Sequence, residues 1–488
     1  MTKLEQTRKY EAETVKAISA EERPLYHVTP AAGWMNDPNG FSAYQGECHL
    51  FYQYYPYGTK WGPMHWGHYK TGDFIHWEMV PAALAPEANY ESGCFSGSAI
   101  ETADGQHLLM YTAHLEQDQD IKETQCVAIG NGVDYQKIAE NPVLTVVDLP
   151  EGSSAADFRD PKIWWEDGYY YAVIANRLKD GKGAILLYRS EDCRKWQFIT
   201  ILAQNDGSYG TMWECPDFFE LDGKQVLVVS PMHMKARGLD FHNGHVSLVF
   251  LGDYDSQNYK FTQEAVQMID YGIDFYAPQT TTAPDGRRIM IGWMQNWGSS
   301  QLPPEDAKWF GMMTIPRELQ IRDGRLIQNP VREIEACRTG KVSYLNETVT
   351  AGREFAGING RTIDMTVVLD LNQSPDCSRF EIRLASNKDH FTKVTYSVAQ
   401  DIITVDRTYS GICHDTNHIR RMKVEKKNGK VKLRFLLDRF SMEMFVNDGE
   451  QAFSMTLYET PKDADQITFS ADGAAVIDIE KFTFLAEQ

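Results

Sequence analysis

The stretch DGYYYAVIAN, residues 167–176, decides the fold, because a turn that ends in glycine runs directly into a strand of aromatic and β-branched residues. The same unit of turn and strand occurs five times, and successive turn glycines stand 59, 63, 55 and 63 residues apart. These glycines are Gly46, Gly105, Gly168, Gly223 and Gly286. Recurrence at a nearly constant period indicates one supersecondary unit used five times.

A polar cluster precedes each turn at a similar offset: WMNDPNG at 34, FSGSA at 95, FRDPK at 158, WECPDFF at 213 and YAPQT at 276. Four of the copies are followed by a more irregular segment that would supply an outer strand. A unit of roughly 60 residues with about four strands, repeated five times, predicts a five-bladed β-propeller, since radially arranged blades bury their faces against one another. The alternative is a chance likeness among hairpins, because Asp-Gly turns are common.

Equivalent positions in the blades of a propeller converge on one axis. We therefore expect the polar clusters to point into a single funnel. Their representatives are Asp37, Ser96, Asp160, Glu214 and Gln279.

The segments on either side of the repeat have different patterns. Residues 1–22 predict a helical extension, and the propeller is expected over residues 23–335. From residue 340 to residue 488 the text alternates strictly, as in KVKLRFLLD, which is typical of strands with one buried face and predicts a β-sandwich. The expected fold is all-β. The absence of a low-complexity linker around residues 329–341 favours a fixed interface between the two parts.

The composition narrows the class of ligand. The chain has 488 residues, of which 42% are hydrophobic and 24% charged, with a formal net charge of −20. That charge argues against nucleic acid or an anionic membrane as a partner, because both need a positive field. A neutral small molecule fits better. The 12% of aromatic residues suits sugar stacking and sheet packing equally.

Neither a metal nor a cofactor is expected. The eight cysteines include no CxxC pair, which predicts buried free thiols, and the spacing of His233, His242 and His245 fits no zinc pattern. The first residues lack a signal-peptide core, and no segment approaches about 18 consecutive apolar residues. The expectation is a cytoplasmic protein, with a homo-oligomer left open.

Three carboxylates, Asp37, Asp160 and Glu214, meet near one axis if the repeat register is right. Like charges in a partly desolvated site do not ionise together, so at least one pKa is expected to rise. Glycoside hydrolysis uses this arrangement most directly, with one carboxyl as acid and another as nucleophile. A short carboxyl separation predicts retention of configuration, and a wider one predicts inversion, as in propeller glycosidases that cleave arabinan or xylan.

The motifs WMNDPNG, FRDPK and WECPD, with FSGSA between the first two, resemble those of the β-fructofuranosidases, the family of invertases and fructan hydrolases. The resemblance runs from about residue 27 to residue 447, and LDRFSMEMFVNDG at 437–449 is similar to the family's sandwich signature. The family's fold is a five-bladed propeller followed by a β-sandwich, which agrees with the repeat count.

The resemblance implies a role for each carboxylate. Asp37 would be the nucleophile, Glu214 the acid/base, and Asp160, with Arg159 beside it, would hold fructose hydroxyls and stabilise the transition state. The same mapping implies a fructose pocket lined by polar and aromatic side chains. Its members are Asn36, Gln53, Trp61, Phe95, Ser96, Arg159, Tyr276 and Trp293.

The function expected from these residues is cofactor-free, retaining release of fructose from sucrose or sucrose 6-phosphate. Lys60, His65 and Lys308 are candidates for binding a phosphate. The alternatives are an exo-acting hydrolase of short fructans, a fructosyltransferase, an inverting propeller glycosidase and a non-catalytic sugar-binding module. The last would be expected to lack a carboxylate, and all three are present.

Overall fold

A computed structural model of the chain describes residues 1–118, 120–298, 303–411 and 417–484. In these ranges the regular structure is almost all strand, so the protein is of the all-β class that the sequence predicted. The α-helix Lys3–Thr14 (α1) lies within the segment predicted to be helical. The short 3-10 helices are Val15–Ala17, Ala20–Glu22, Val146–Asp148, Arg332–Cys337 and Leu371–Gln373. No helix in the described ranges is long and apolar enough to cross a membrane.

Within the described residues, the strands between residues 33 and 330 form five sheets. Sheet 1 contains Gly33–Tyr44 (β1), Glu47–Tyr55 (β2), His65–Thr71 (β3) and Glu78–Leu84 (β4). Sheet 2 contains Gly93–Glu101 (β5), His107–Gln117 (β6), Asp120–Gly130 (β7) and Tyr135–Lys137 (β8). Sheet 3 contains Ser153–Glu166 (β9), Tyr169–Leu178 (β10), Gly183–Ser190 (β11) and Trp196–Gln204 (β12).

The next two sheets complete this part of the chain. Sheet 4 contains Trp213–Leu221 (β13), Lys224–Pro231 (β14), Leu248–Asp255 (β15) and Lys260–Met268 (β16). Sheet 5 contains Tyr276–Thr282 (β17) and Arg288–Trp293 (β18). The short strand Trp309–Phe310 (β19) then joins sheet 1 before Arg317–Arg322 (β20) and Arg325–Pro330 (β21) complete sheet 5. The irregular segments after four of the repeats form the outer strands β4, β8, β12 and β16.

The five turn glycines each lie between the first and second strands of a sheet. Their φ angles fall between 76° and 89°, a left-handed conformation that glycine adopts without a steric penalty. Gln45, Asp167 and Asp222 precede three of these glycines and are left-handed as well, as in the two-residue turns that suit the twist of a hairpin. The repeat of turn and strand in the sequence is therefore a repeat of the same hairpin.

The first strands of the five sheets lie next to one another in cyclic order. β1 contacts β5, β5 contacts β9, β9 contacts β13, β13 contacts β17, and β17 contacts β1. A cavity of about 570 Å³ is lined by all five strands towards their C-terminal ends. β19 pairs in parallel with β1, so the chain crosses from sheet 5 to sheet 1 between β18 and β20. This arrangement is consistent with a propeller.

The remaining strands form two further sheets with a shared apolar core, consistent with a sandwich. Sheet 6 contains Arg338–Val349 (β22), Ile363–Asp370 (β23), Lys430–Asp438 (β28), Ser441–Val446 (β29), Gln451–Thr456 (β30) and Ala475–Phe484 (β32). Sheet 7 contains Arg379–Ser386 (β24), Phe391–Ser397 (β25), Ile402–Tyr409 (β26), Ile419–Lys423 (β27) and Gln466–Asp472 (β31). The alternating pattern in the sequence corresponds to alternating burial, as in β25.

A buried polar network joins the two parts of the chain. His27 Nδ1 lies 2.8 Å from Asp438 Oδ2, and His27 Nε2 lies 3.0 Å from Glu443 Oε1. Arg317 Nη2 lies 2.6 Å from Glu443 Oε2 and 2.9 Å from Asp270 Oδ2. The side chains of these five residues are all 0% exposed. Burial opposes protonation of His27, but its two carboxylate partners raise its pKa to about 9.

The thiols are consistent with the sequence prediction. Free, buried thiols belong to Cys48, Cys94, Cys126, Cys193, Cys215 and Cys377. Cys337 is partly exposed, and Cys413 lies outside the described residues.

Candidate active site

Each of the five first strands carries a bulge at an equivalent position. The pairing with the second strand shifts register there and leaves one or two residues unpaired. The unpaired residues are Asn36-Asp37, Ser96, Asp160-Pro161, Cys215-Pro216 and Ala277-Pro278. A bulge redirects side chains away from the regular alternation of a strand. This is why the polar clusters keep in phase with the turn glycines.

Backbone strain marks three of these bulges. Asp160, Cys215 and Ala277 have φ angles of 64°, 49° and 51°, a left-handed conformation that is uncommon outside glycine. Each of the three stands directly before a proline, which has no N–H to pair with the neighbouring strand. The strain is held by the surrounding sheet and fixes the direction of the adjacent side chains.

Asp37 lies partly buried and is held by uncharged groups. Ser96 Oγ donates to Asp37 Oδ2 at 2.8 Å, and Asn36 Nδ2 donates to Asp37 Oδ1 at 3.2 Å. Burial raises the pKa of Asp37 to about 6, and the negative charge of Glu214 adds to this effect, while the hydrogen bond from Ser96 opposes it. The carboxyl is thus largely ionised at neutral pH but only weakly stabilised, as a nucleophile requires.

Asp160 is buried deeper, with 6% of its surface exposed. The backbone N–H of Cys215 donates to Asp160 Oδ2 at 2.9 Å, and the Asp160 N–H donates to Thr112 Oγ1 at 3.0 Å. Burial raises the pKa of Asp160, and the charge of the neighbouring Arg159 acts against that rise. The sequence prediction that at least one pKa is raised in this cluster is therefore confirmed for Asp37 and Asp160.

Glu214 accepts hydrogen bonds from a charged guanidinium and from a tyrosine hydroxyl. Arg159 donates to Glu214 Oε1 from Nε at 3.1 Å and from Nη2 at 3.0 Å. The hydroxyl of Tyr276 lies 2.7 Å from Glu214 Oε2 and 2.9 Å from the carbonyl oxygen of Ser230. The single proton of Tyr276 can serve only one of these acceptors at a time. Glu214 is thus fixed in orientation by two residues that the sequence assigned to the pocket.

The thiol of Cys215 connects two of the carboxylates. Its sulfur lies 3.6 Å from Asp37 Oδ2 and 3.6 Å from Asp160 Oδ2, so these oxygens are at most twice that distance apart. Burial raises the pKa of the Cys215 thiol well above its usual value, which keeps it protonated and able to donate. Cys215 belongs to the WECPDFF motif, but the sequence predicted no role for it.

Two acidic residues beneath the site were also missed. Glu123 Oε2 accepts from Arg159 Nη1 at 3.1 Å and from the Phe158 N–H at 3.0 Å, and Asp157 Oδ1 accepts from the same guanidinium nitrogen at 3.2 Å. Arg159 therefore donates hydrogen bonds to three carboxylates at once, with one positive charge shared among them. Asp157 adjoins the FRDPK motif, but nothing in the sequence marked Glu123, which lies on β7 far from any quoted motif.

The polar residues assigned to the pocket are held by the protein, and two of them, Asn36 and Ser96, contact Asp37. Asn36 accepts from Trp34 Nε1 at 2.7 Å, and Gln53 donates to the carbonyl oxygen of Cys94 at 2.9 Å. Asn36, Gln53 and Ser96 are each less than 5% exposed. Their side chains are therefore fixed by protein contacts before any ligand binds.

The aromatic residues assigned to the pocket separate into two groups. Trp61 is 49% exposed and meets Phe95 edge to face, with ring centroids 6.0 Å apart. Phe95 in turn stacks on His114. Trp293 is 1% exposed and packs on Trp34, and its place in the pocket lining stays a prediction.

Other residues singled out in the sequence make contacts of their own. Gln279 donates to the carbonyl oxygen of Gly97 and accepts from the Phe41 N–H, so it ties first strands together and has no hydrogen bond to the three carboxylates. Lys308 Nζ binds Glu22 and the Ala17 carbonyl oxygen at the N-terminal extension. Burial lowers the pKa of His65 to about 4, so it carries no charge at neutral pH. The third phosphate candidate, Lys60, is exposed, and neither of these objections applies to it.

The arrangement can carry out two-carboxylate chemistry. Asp37 is surrounded by neutral donors, whereas Glu214 is oriented by an arginine and a tyrosine, so the two groups are held in different environments. Such a difference is how two carboxyls take separate roles at one pH. Asp160 adds a third, more deeply buried carboxyl, which shares the Cys215 thiol with Asp37.

Comparison with known proteins gives consistent matches along the chain. Residues 27–330 match the model of the glycosyl hydrolases family 32 N-terminal domain, and residues 333–485 match that of the family's C-terminal domain. A sucrose-6-phosphate hydrolase of Zymomonas mobilis subsp. mobilis is 37% identical over 490 residues, which cover 95% of this chain and 92% of that protein.

Solved structures of the same kind are similar over nearly the whole chain. A Bombyx mori GH32 β-fructofuranosidase mutant in complex with sucrose has a TM-score of 0.84 and 34% identity, covering 98% of this chain and 97% of its own. The sucrose-6-phosphate hydrolase from Lactobacillus gasseri has a TM-score of 0.87 and 27% identity, covering 97% and 96%.

Proposed function

The chain belongs to glycosyl hydrolase family 32, and we propose that it is a retaining β-fructofuranosidase that releases the terminal fructosyl group of sucrose or sucrose 6-phosphate. The observation that carries the proposal is the difference between its two central carboxyls. Arg159 and Tyr276 clamp Glu214, while Asp37 meets only uncharged donors and has a pKa of about 6. An oriented proton donor opposite a poised carboxylate is the arrangement that glycoside hydrolysis needs.

In the first step, the carboxylate of Asp37 attacks the anomeric carbon of the fructosyl unit. The bond from that carbon to the leaving oxygen breaks, and the proton of Glu214 passes to the leaving oxygen. In the second step, Glu214 takes a proton from water, the water oxygen attacks the same carbon, and the ester bond to Asp37 breaks. Two displacements at one carbon retain its configuration.

Tyr276 is suited to follow the changes in charge at Glu214. Its hydroxyl is within hydrogen-bond distance of both Glu214 Oε2 and the Ser230 carbonyl oxygen. When Glu214 is ionised, the tyrosine donates to Oε2. When Oε2 carries the proton, the tyrosine donates to Ser230 and leaves that proton to the leaving group.

Asp160 does not enter the bond-making steps in this proposal. Its oxygen Oδ2 accepts from the Cys215 N–H and lies near the same thiol as Asp37 Oδ2, which supports a role beside the nucleophile. From there it would bind fructose hydroxyls and stabilise positive charge at the anomeric carbon. Asn36, Gln53 and Ser96 would complete the polar contacts with the sugar, and the exposed Trp61 would stack on it.

We further propose that sheets 1 to 5 are the five blades of a propeller spanning residues 23–335, that residues 340–488 form the sandwich domain, and that residues 1–22 are an extension. The cyclic contacts of the first strands and their equivalent bulges support five blades. A cytoplasmic location is part of the proposal because six buried free thiols suit a reducing compartment.

The proposal is tested by following the products from sucrose, sucrose 6-phosphate and a short inulin-type oligosaccharide. Fructose is expected from at least one of the first two, and in the presence of methanol the transfer product should be methyl β-fructofuranoside, with retained configuration. The inverted methyl α-fructofuranoside would contradict a covalent intermediate on Asp37. A clear preference for the oligosaccharide would favour a fructan hydrolase.

Variants of the two central carboxyls test their roles. Asp37→Asn and Glu214→Gln should each lower kcat by about a thousandfold or more while thermal melting stays near that of the wild type. Glu381→Gln, a change of a buried carboxyl in the sandwich sheet, serves as the matched control. Near-normal activity in either active-site variant would refute the assignment.

A further inference from the structure

A hairpin-like loop, residues 233–245, stands beside the acid/base carboxyl. It is held by two antiparallel bridges in one register, Met234 with Gly244 and Arg237 with Phe241. That register places His233 opposite His245, whose ring centroids lie 5.5 Å apart, and Lys235 opposite Asn243. The side chains of a paired strand alternate between two faces, so His233, Lys235 and Arg237 share one face of the 233–245 hairpin.

Two residues of the other face, Met234 and His242, are buried, as is Phe241 opposite Arg237 on the first face. Met234 is 2% exposed within the apolar core, and His242 Nε2 lies 3.0 Å from the carbonyl oxygen of Arg421 in the sandwich. The chain thus turns its apolar and structural residues towards the rest of the protein. His233, Lys235 and Arg237 are all exposed on the first face.

The exposed face borders the carboxyl of Glu214. The ring of His245 meets that of Tyr276 edge to face at 5.6 Å, and Tyr276 binds Glu214. At the other end of the hairpin, the guanidinium of Arg237 stacks on the ring of Tyr209 at 4.8 Å. Tyr209 is fixed through its carbonyl oxygen, which accepts from the indole N–H of Trp213, the residue before Glu214.

The charge of this face is unusual for so acidic a protein. In the described part of the chain, no carboxylate oxygen lies within 4.0 Å of a side-chain nitrogen of Lys235 or Arg237, the distance that defines an ion pair. Together with a backbone hydrogen bond from Ser208, the charge of Arg237 helps to lower the pKa of Asp206, and Asp240 lies at the tip of the hairpin. Both carboxylates are nevertheless farther away than an ion pair allows. In the described residues, two cations without a carboxylate partner therefore lie on the hairpin whose His245 packs against Tyr276, on a chain whose net charge is −20. Arg237 also donates to the carbonyl oxygen of Ser208.

We propose that Lys235 and Arg237, with His233, bind a phosphate monoester on the leaving sugar, so that the substrate is sucrose 6-phosphate. The inference rests on the proposed function, because Glu214 protonates the leaving oxygen and the leaving glucosyl group must therefore lie on its side of the site. A phosphate offers three acceptor oxygens and a double negative charge, which a guanidinium and an ammonium bind strongly. Stacking on Tyr209 holds the guanidinium of Arg237 in place before the ligand arrives.

The test compares kcat/KM for sucrose 6-phosphate and for sucrose in the wild type, in Lys235→Ala, in Arg237→Gln and in the double variant. The wild type should prefer the phosphorylated sugar, and the ratio of the two kcat/KM values should fall by about tenfold for each cation removed. Arg237→Lys, which keeps the charge, should recover part of the ratio. The control is Lys388→Ala with Lys462→Ala, which removes two exposed lysines of the sandwich part.

A measurement on the wild type alone gives a second test. Glucose 6-phosphate should inhibit fructose release at a concentration at least about tenfold lower than glucose does, because it carries the same phosphate as the leaving group. Equal inhibition by the two sugars, a wild-type preference for sucrose, or a ratio unchanged in the double variant would overturn the phosphate site while leaving fructose release intact. Failure of the wild type to release fructose from either sugar would overturn the proposed function itself.

Discussion

Replacing Ser96 with alanine should move the acidic limb of the pH profile to higher pH. Asp37 attacks as a carboxylate, and its pKa of about 6 means that kcat/KM falls as the pH drops through that value. The hydroxyl of Ser96 donates to Asp37 Oδ2 at 2.8 Å and stabilises the ionised form. Without that donor, the carboxylate is less stable and the pKa rises.

The size of the shift follows from the strength of the lost contact. A hydrogen bond to a charged group contributes about 1.5–3 kcal/mol, and the partial exposure of Asp37 lets water replace part of it. One pKa unit corresponds to about 1.4 kcal/mol, so we expect a shift of about one unit. At pH 6 the variant should have a much lower kcat/KM than the wild type. At pH 8 it should retain most of the wild-type value.

The assay is kcat/KM for sucrose and sucrose 6-phosphate between pH 4 and pH 9, since kcat/KM reports ionisations of the free enzyme. Ser374→Ala is the matched control, because Ser374 is a buried serine of the sandwich part whose hydroxyl binds the backbone of Asp370. Both variants should melt at similar temperatures. An acidic limb that stays in place in Ser96→Ala, or moves to lower pH, would refute the reasoning.

Three further predictions concern single side chains. Tyr276→Phe should lower kcat/KM by about tenfold to a hundredfold through loss of the contact with Glu214, whereas Tyr396→Phe, which loses a similar contact with a carboxylate in the sandwich part, should leave kcat/KM unchanged. The pKa of His27 is raised to about 9 from an ordinary 6.5, so its contribution to the stability of the fold is complete below pH 6.5 and is lost as the pH rises through 9. His27→Gln should therefore melt at a lower temperature than the wild type at pH 6, and its melting temperature should depend less on alkaline pH. A wild-type melting temperature that is flat from pH 6 to pH 10 would contradict this. Burial lowers the pKa of His49 to about 4, so the contribution of its neutral ring to stability is complete above pH 6.5 and is lost as the pH falls towards 4. His49→Gln should therefore make the melting temperature less sensitive to acid. An unchanged slope of melting temperature against pH would count against the lowered pKa.

Most of the fold was readable from local pattern. The turn at Gly168 recurs because each sheet needs the same tight hairpin, and the left-handed φ at such glycines leaves a mark in the sequence. The alternation in KVKLRFLLD was equally direct, since burial of one face imposes a period of two. The two-residue strand β19 was not predictable, because so short a parallel pairing with β1 has no pattern of its own.

The site was predictable only where a motif carried it. Asp37, Asp160 and Glu214 stand in quoted motifs and lie together in the structure, linked through Ser96, Cys215 and Arg159. Glu123 was missed because its strand reads as ordinary sheet, and its role depends on a partner 36 residues further along the chain. The assignment of the buried Trp293 to the pocket lining stays a prediction, because sequence does not distinguish an aromatic ring beneath a site from one that faces it.

The sequence by itself determined the class of fold, the five hairpins and the carboxylates available for chemistry. These features depend on local sterics and on side-chain periodicity, both of which act between residues close in the chain. Only the tertiary structure decided which groups hold each carboxyl, and that Lys235 and Arg237 lie exposed on the hairpin whose His245 packs against Tyr276. The pKa of Asp37 and the partners of Arg159 depend on burial and on charges from strands distant in the chain, so they exist only once the sheets have packed around one site.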